Sequence, residues 1–169
     1  MAAKAGSTAA GNNKRRKTGL DLLRNSSGEQ YQYDAQVGHL LRRALQRNLI
    51  IFSKHFETSE LTSVQFIVLC ALAEHGPISQ NLMGRLVALD PSTTKGVVER
   101  LAERGLILIG PDAEDRRKLV IELSRAGKIM LRGLVDQGLQ VTDETFGTLN
   151  PAERIALLFL LRKIVENGN

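Results

Sequence analysis

Cys70 is the only cysteine in the 169 residues, so no disulfide can form within the chain and a reducing compartment is expected. No stretch approaches the roughly 18 consecutive apolar residues that a membrane span requires. The N-terminus also lacks the apolar core of a secretory signal. Cytoplasmic residence without membrane association is the expectation. Tryptophan is missing, aromatics make up 4% of the residues, and no internal repeat is visible. His39, His55 and His75 fall on different helices or faces, and no Cys/His spacing resembles a zinc site. A nucleophile–base pair, a carboxylate cluster and a phosphate loop are missing too, so neither an enzyme nor a bound cofactor is expected.

What is present is enough for one folded domain, with 43% apolar residues and a net charge of +5. The charge is unevenly placed. Residues 1–24 hold six cations and one anion, Asp21, whereas the rest of the chain has 17 of each sign. The basic character therefore belongs to the tail and says little about the folded part. Residues 1–28, rich in Ala, Gly, Ser, Asn and Lys, read as a disordered basic arm, and residues 29–169 as the domain. The Lys14-Arg15-Arg16-Lys17 cluster is able to touch phosphates, although such runs are more often simply solvated.

Helical spacing of Val37, Leu41, Ala44, Leu45, Ile51 and Phe52 predicts a long first helix from Asp34 to Phe56. Thr62 and Gln65 form a capping box for a second helix, with an apolar face of Phe66, Leu69, Cys70 and Ala73 and an end at Gly76-Pro77. Ser79 caps a short third helix through Leu86. Asp90 caps the fourth, with Pro91 in its first turn, Val97, Val98 and Leu101 facing inward, and Gly105 closing it. Two β-prone runs, residues 106–109 and 119–123, flank a charged loop and predict a hairpin. Ser124 caps a long fifth helix to about Phe146. Asn150-Pro151-Ala152-Glu153 starts a sixth, which is apolar nearly all round up to about Val165 and must be buried by more than its own thin domain. The expected fold class is mainly α with a small β-hairpin: a winged helix-turn-helix over about 62–123, flanked by long helices over about 34–57 and 124–167.

The middle of the chain carries the functional signal. A helix-turn-helix sets the N-terminal residues of its second helix against base edges in the major groove, which favours short polar side chains. Ser92, Thr93, Thr94 and Lys95 meet that need. Their hydroxyls can bond phosphates or bases, and Lys95 can reach a guanine acceptor. Arg100 suits packing or a phosphate. In the loop, Asp115 is placed to orient Arg117 for a narrow minor groove, leaving Arg116 and Lys118 for phosphates. Either feature alone is bland; adjacent, they point to double-stranded DNA. Residues 62–123 hold seven cations and eight anions, so binding should lean on oriented contacts with a moderate salt dependence. The rival reading is a winged-helix protein-interaction module, but such a face should be apolar or aromatic, and this one is small and polar.

At this point the chain resembles the MarR family of bacterial winged-helix regulators. The resemblance rests on the string from Leu89-Asp90-Pro91-Ser92-Thr93-Thr94-Lys95 to Arg104-Gly105-Leu106-Ile107. It continues in the wing pattern Asp115-x-Arg117 followed by Leu123-Ser124. Gly96 is a departure, since many members carry Arg there. The resemblance spans about Asp34 to Glu166. It implies a homodimer with intertwined first, fifth and sixth helices, a pseudo-palindromic operator, and a repressor released by a small aromatic acid or phenol.

For that effector the resemblance implies a cleft drawing on the first and second helices and the start of the fifth. His39, Arg42 and Arg43 are its polar candidates and Phe66 a stacking one, because Arg grips a carboxylate bidentately and His can meet a ring hydroxyl. The Leu89-to-Val98 string resembles branches governing aromatic-acid catabolism, nicotinate-type compounds among them. Redox members use a reactive Cys near the first helix. Cys70 lies on the second and reads as a buried, inert thiol.

Overall fold

Local capping sets most element boundaries. In the computed structural model, which describes residues 22–112 and 115–166, six α-helices and one hairpin follow in the order α1 (Val37–His55), α2 (Ser63–His75), α3 (Gln80–Leu86), α4 (Pro91–Glu103), β1 (Ile107–Pro111), β2 (Leu119–Leu123), α5 (Arg125–Phe146) and α6 (Pro151–Glu166). The Thr62–Gln65 capping box is complete in both directions, with Gln65 N to Thr62 Oγ1 at 3.2 Å and Thr62 N to Gln65 Oε1 at 3.0 Å. Ser79, Asp90 and Ser124 each accept amide hydrogens at the N-caps of α3, α4 and α5. Asn150 and Glu153 exchange bonds of 3.0 and 2.8 Å at the start of α6.

The chain divides into two units, residues 1–43 and 44–169. Within the first, residues 22–30 make a tight turn that overlaps the end of the span that composition assigns to an arm. Asn25 Oδ1 accepts from the amides of Ser27 and Glu29, and Arg24 bridges to Gln30. The Lys14–Lys17 cluster lies outside the described residues. α1 begins at Val37, three residues later than the apolar spacing predicts, because Gln36 is extended after a 3-10 turn over Tyr33–Ala35.

In the second unit, α2 is the central element and packs against α3, α4, β2 and α5. Its inward side is Val68, Leu69 and Leu72, which corrects the predicted face: Cys70 is half-buried and Ala73 exposed. The helix is apolar on nearly every side, so periodicity could not say which side the neighbours would take. Val97, Val98 and Leu101 of α4 meet this core as expected, with Met83, Ile107, Ile121, Leu131 and Leu134 completing it. β1 and β2 are antiparallel in the register Ile107↔Leu123 to Pro111↔Leu119. Ile78 adds an isolated antiparallel bridge beside this two-stranded sheet, exchanging bonds of 3.1 and 2.8 Å with Ile121.

α5 is joined to the winged helix at one crowded point. Ser124 Oγ accepts from Gly127 N at 3.0 Å and donates to Gly105 O at 2.6 Å, while Ser124 N donates to Leu106 O at 3.1 Å. A β-carbon on Gly127 would stand 2.0 Å from Leu106 O, so only glycine fits without moving backbone. Gly127→Ala is expected to destabilise the fold by about 3 kcal/mol, the upper range for overpacking. Ser124→Ala should cost about 1–2 kcal/mol for a lost cap. Urea denaturation checks both, and a Gly127→Ala midpoint equal to wild type would contradict the packing described.

Candidate nucleic-acid interface

The recognition surface is built on α4 and the wing. Asp90 Oδ1 accepts from the amides of Ser92 and Thr93, both at 3.0 Å, and its Oδ2 accepts from the Thr93 hydroxyl. The Thr93 hydroxyl first, then these amides, hold the Asp90 carboxyl below the usual carboxylate range. Because that value is depressed in the folded state, the cap contributes fully above the ordinary carboxylate range and is lost as pH falls below that range through the lowered value. Ser92, Thr93 and Lys95 are exposed on the outer side of the first turns, and Lys95 Nζ lies 3.7 Å from Glu99 Oε1.

Thr94 does not belong with them. It is 1% exposed, its hydroxyl donates to Asp90 O at 2.8 Å, and a β-carbon on Gly84 would stand 2.9 Å from its Oγ1. Thr94 therefore packs α4 against α3, and its assignment as a groove contact is corrected. Helical geometry explains this, since position 94 shares its face with Val97, Val98 and Leu101.

The wing loop is shaped by two aspartates. Asp112 Oδ1 accepts from Asp115 N at 2.9 Å, and Asp115 Oδ1 accepts from Arg117 N at 3.2 Å. Asp115 also faces the Arg117 side chain, Nε to Oδ1 at 3.4 Å, and Lys118 Nζ at 3.6 Å from Oδ2. The orienting contact predicted for Asp115 is thus formed while the Arg117 side chain stays 93% exposed. Arg116 is exposed and makes no hydrogen bond or ion pair among the described residues. Both surfaces combine polar donors with fixed cations and carry no large apolar patch at α4, which disfavours the protein-interaction reading.

The effector candidates fall in both units. His39, Arg42 and Arg43 lie in the first unit, where His39 meets Tyr33 edge-on at 5.5 Å and both arginines are exposed. Phe66 lies in the second, its ring engaged by Phe56 at 4.7 Å and Phe52 at 5.9 Å, with its edge 3.0 Å from a β-carbon placed on Gly138. It is a wall of the core more than an open stacking platform. A cleft that sequence reasoning missed lies between the end of α2, β2 and the start of α5. It measures about 420 Å³ and is lined by Leu72, Leu123, Leu131 and Val135, with Lys128, Arg132 and Glu122 at its polar side. The spacing Lys128, Leu131, Arg132, Val135 marks one helical face and could have signalled it. Cys70 has its thiol pushed up, first by burial and then by Glu74, which agrees with an unreactive thiol.

Comparison with known proteins places these features. The MarR family profile matches residues 61–119. The HTH-type transcriptional repressor NicR of Pseudomonas putida is 43% identical over 81% of this chain and 87% of its own length. A structure of Bordetella bronchiseptica BpsR, solved to explain regulation of its DNA binding by 6-hydroxynicotinic acid, is 44% identical. It covers 81% of this chain and 98% of its own, with a TM-score of 0.77. A MarR variant from E. coli complexed with operator DNA shares the fold, at 21% identity, TM-score 0.70, and coverage of 76% of this chain and 92% of its own. No described helix is long and apolar enough to cross a membrane. A capped polar helix start beside a cationic wing on this scaffold, with relatives of this identity and coverage, has one reading: the chain belongs to the MarR family of winged-helix, DNA-binding transcriptional regulators.

Proposed function

We propose that the protein is a homodimeric repressor in the bacterial cytoplasm that holds a pseudo-palindromic operator and releases it on binding a small aromatic acid of the nicotinate type. The observation that carries the DNA reading is the pairing of an exposed Ser92-Thr93-Lys95 helix start with a wing whose Arg117 is oriented yet solvent-facing. The dimer rests on α6. Ile155, Phe159, Leu160 and Ile164 are all more than half exposed, and no residue of that helix is buried. A lone chain has no reason to leave such a helix in water, and a two-fold partner buries it. Two copies then set their recognition helices about one DNA turn, roughly 34 Å, apart.

The effector class is supported by the ligand of BpsR. In this chain the cleft of α2, β2 and α5 has the apolar walls and cations that an aromatic carboxylate needs, with Lys128 and Arg132 as anchors. Because β2 belongs to the wing and α5 to the dimer helices, a ligand there touches both, which allows different affinities in the free and DNA-bound forms.

Arg117→Ala is expected to weaken operator binding by about 1–3 kcal/mol with an unchanged melting temperature, as for loss of one oriented groove contact. A salt-matched gel-shift titration checks this, and equal affinities would remove the wing from the mechanism. Among pyridine carboxylates and benzoates, 6-hydroxynicotinate included, at least one should raise the melting temperature of the free protein and lower its DNA affinity. At a hundredfold excess over its dissociation constant the stabilisation is about 2.7 kcal/mol. A panel that moves neither quantity defeats the effector proposal and leaves the DNA-binding one standing.

A further inference from the structure

The outward stripe of α4 carries Ser92, Gly96 and Arg100 at intervals of one turn, with Thr94, Val97, Val98 and Leu101 turned inward. Residues four apart lie one above the other on a helix. At Gly96 this stripe has no side chain, and the guanidinium of Arg100 lies beside the open position, in ordinary van der Waals range of where a β-carbon would stand. Its two terminal nitrogens lie 3.4 and 3.8 Å, and its Cζ 3.9 Å, from where a β-carbon on residue 96 would stand. Helical side chains lean toward the N-terminus, so the guanidinium is carried back one turn, toward the Ser92 end that faces a groove.

The two cations of α4 are not equivalent. Lys95 is held by Glu99, with Nζ 3.7 Å from Oε1. Arg100 is exposed, and its side chain has no hydrogen bond or ion pair among the described residues. It therefore offers a planar, unpaired donor fork above a stretch of bare helix backbone, where a base edge can come close. A guanidinium matches the paired O6 and N7 acceptors of guanine, whereas an ammonium tied to a carboxylate acts as a point charge.

We infer that Arg100, seated over Gly96, reads a guanine in each operator half-site, and that the place stays open to it because residue 96 carries nothing that reaches beyond a β-carbon. Lys95 then supplies affinity without base choice, which reverses the roles that sequence alone suggests for the two. The inference rests on the DNA-binding reading and sharpens it to a base and a pair of residues. A bidentate contact of this kind discriminates against other bases about 5- to 150-fold.

The test is selection of bound duplexes from a randomised pool by the full-length wild type and by Arg100→Ala, Gly96→Leu and Lys95→Ala. Wild type should recover a two-fold site with a fixed guanine in each half. Arg100→Ala should keep the two-fold arrangement and lose the preference at that one position. Gly96→Leu, which improves helix propensity and displaces the guanidinium, should lose the same preference with Arg100 intact and a melting temperature no lower than wild type. Lys95→Ala should weaken all sequences alike and flatten the salt dependence. A uniform loss across sequences for Arg100→Ala, or an unaltered preference for Gly96→Leu, overturns the inference. A wild-type protein that selects no sequence at all defeats the DNA-binding reading itself.

Discussion

The contact between the first turn of α5 and the turn leaving α4 organises the second unit. Ser124 caps α5, binds Gly105 O and places its own amide on Leu106 O, and Gly127 lets that carbonyl approach the helix backbone. The same few atoms end the recognition helix, begin the wing and start α5, the long helix that leads on to the apolar α6. A shift at this junction is felt by all three, because interiors packed at this density pass displacements on instead of absorbing them. The cleft lined by Leu123, Lys128, Leu131 and Arg132 lies beside it. That proximity gives an effector a physical route to the wing.

Electrostatics on the DNA face work by orientation instead of by net charge. Asp90 gives α4 a strong cap but places a carboxylate at the positive end of the helix dipole, so the bare N-terminus is not the main phosphate anchor. Asp115 similarly spends negative charge to aim Arg117. Both aspartates reduce the cationic total while fixing the geometry of the donors. A protein that binds in this way gains selectivity for a groove of given shape and gives up some non-specific affinity.

The other ends of α1 and α5 are tied by their own polar set. Glu144 accepts from His55 Nε2 at 2.8 Å and faces Lys54 Nζ at 3.6 Å, and Asn48 donates to Thr145 Oγ1 at 3.0 Å. The His55 hydrogen bond, with Lys54 behind it, lowers the Glu144 carboxyl below its usual range. Arg154 closes the elbow between α5 and α6, pairing with Asp143 and lying 5.2 Å from the Phe146 ring centroid. These contacts aim α6 while leaving its apolar residues open, as a helix meant for a second chain requires.

Sequence alone determined what depends on neighbours a few residues away. The capping boxes at Thr62 and Asn150, the Asp90 and Ser124 caps, the hairpin and the wing's Asp115–Arg117 contact are all local, and each was legible because short-range hydrogen bonding leaves a fixed spacing. Tertiary structure decided which side of each helix was used. The apolar period of α2 fits several faces, and only its packing against α4, β2 and α5 chose Val68, Leu69 and Leu72 over Ala73. Thr94 looks like its neighbours Ser92 and Thr93 in sequence, yet contact with Gly84 takes it out of the groove. The spacing of Lys128, Leu131, Arg132 and Val135 marks a face of α5, but the cleft itself exists only because the end of α2 and β2 come up against that face.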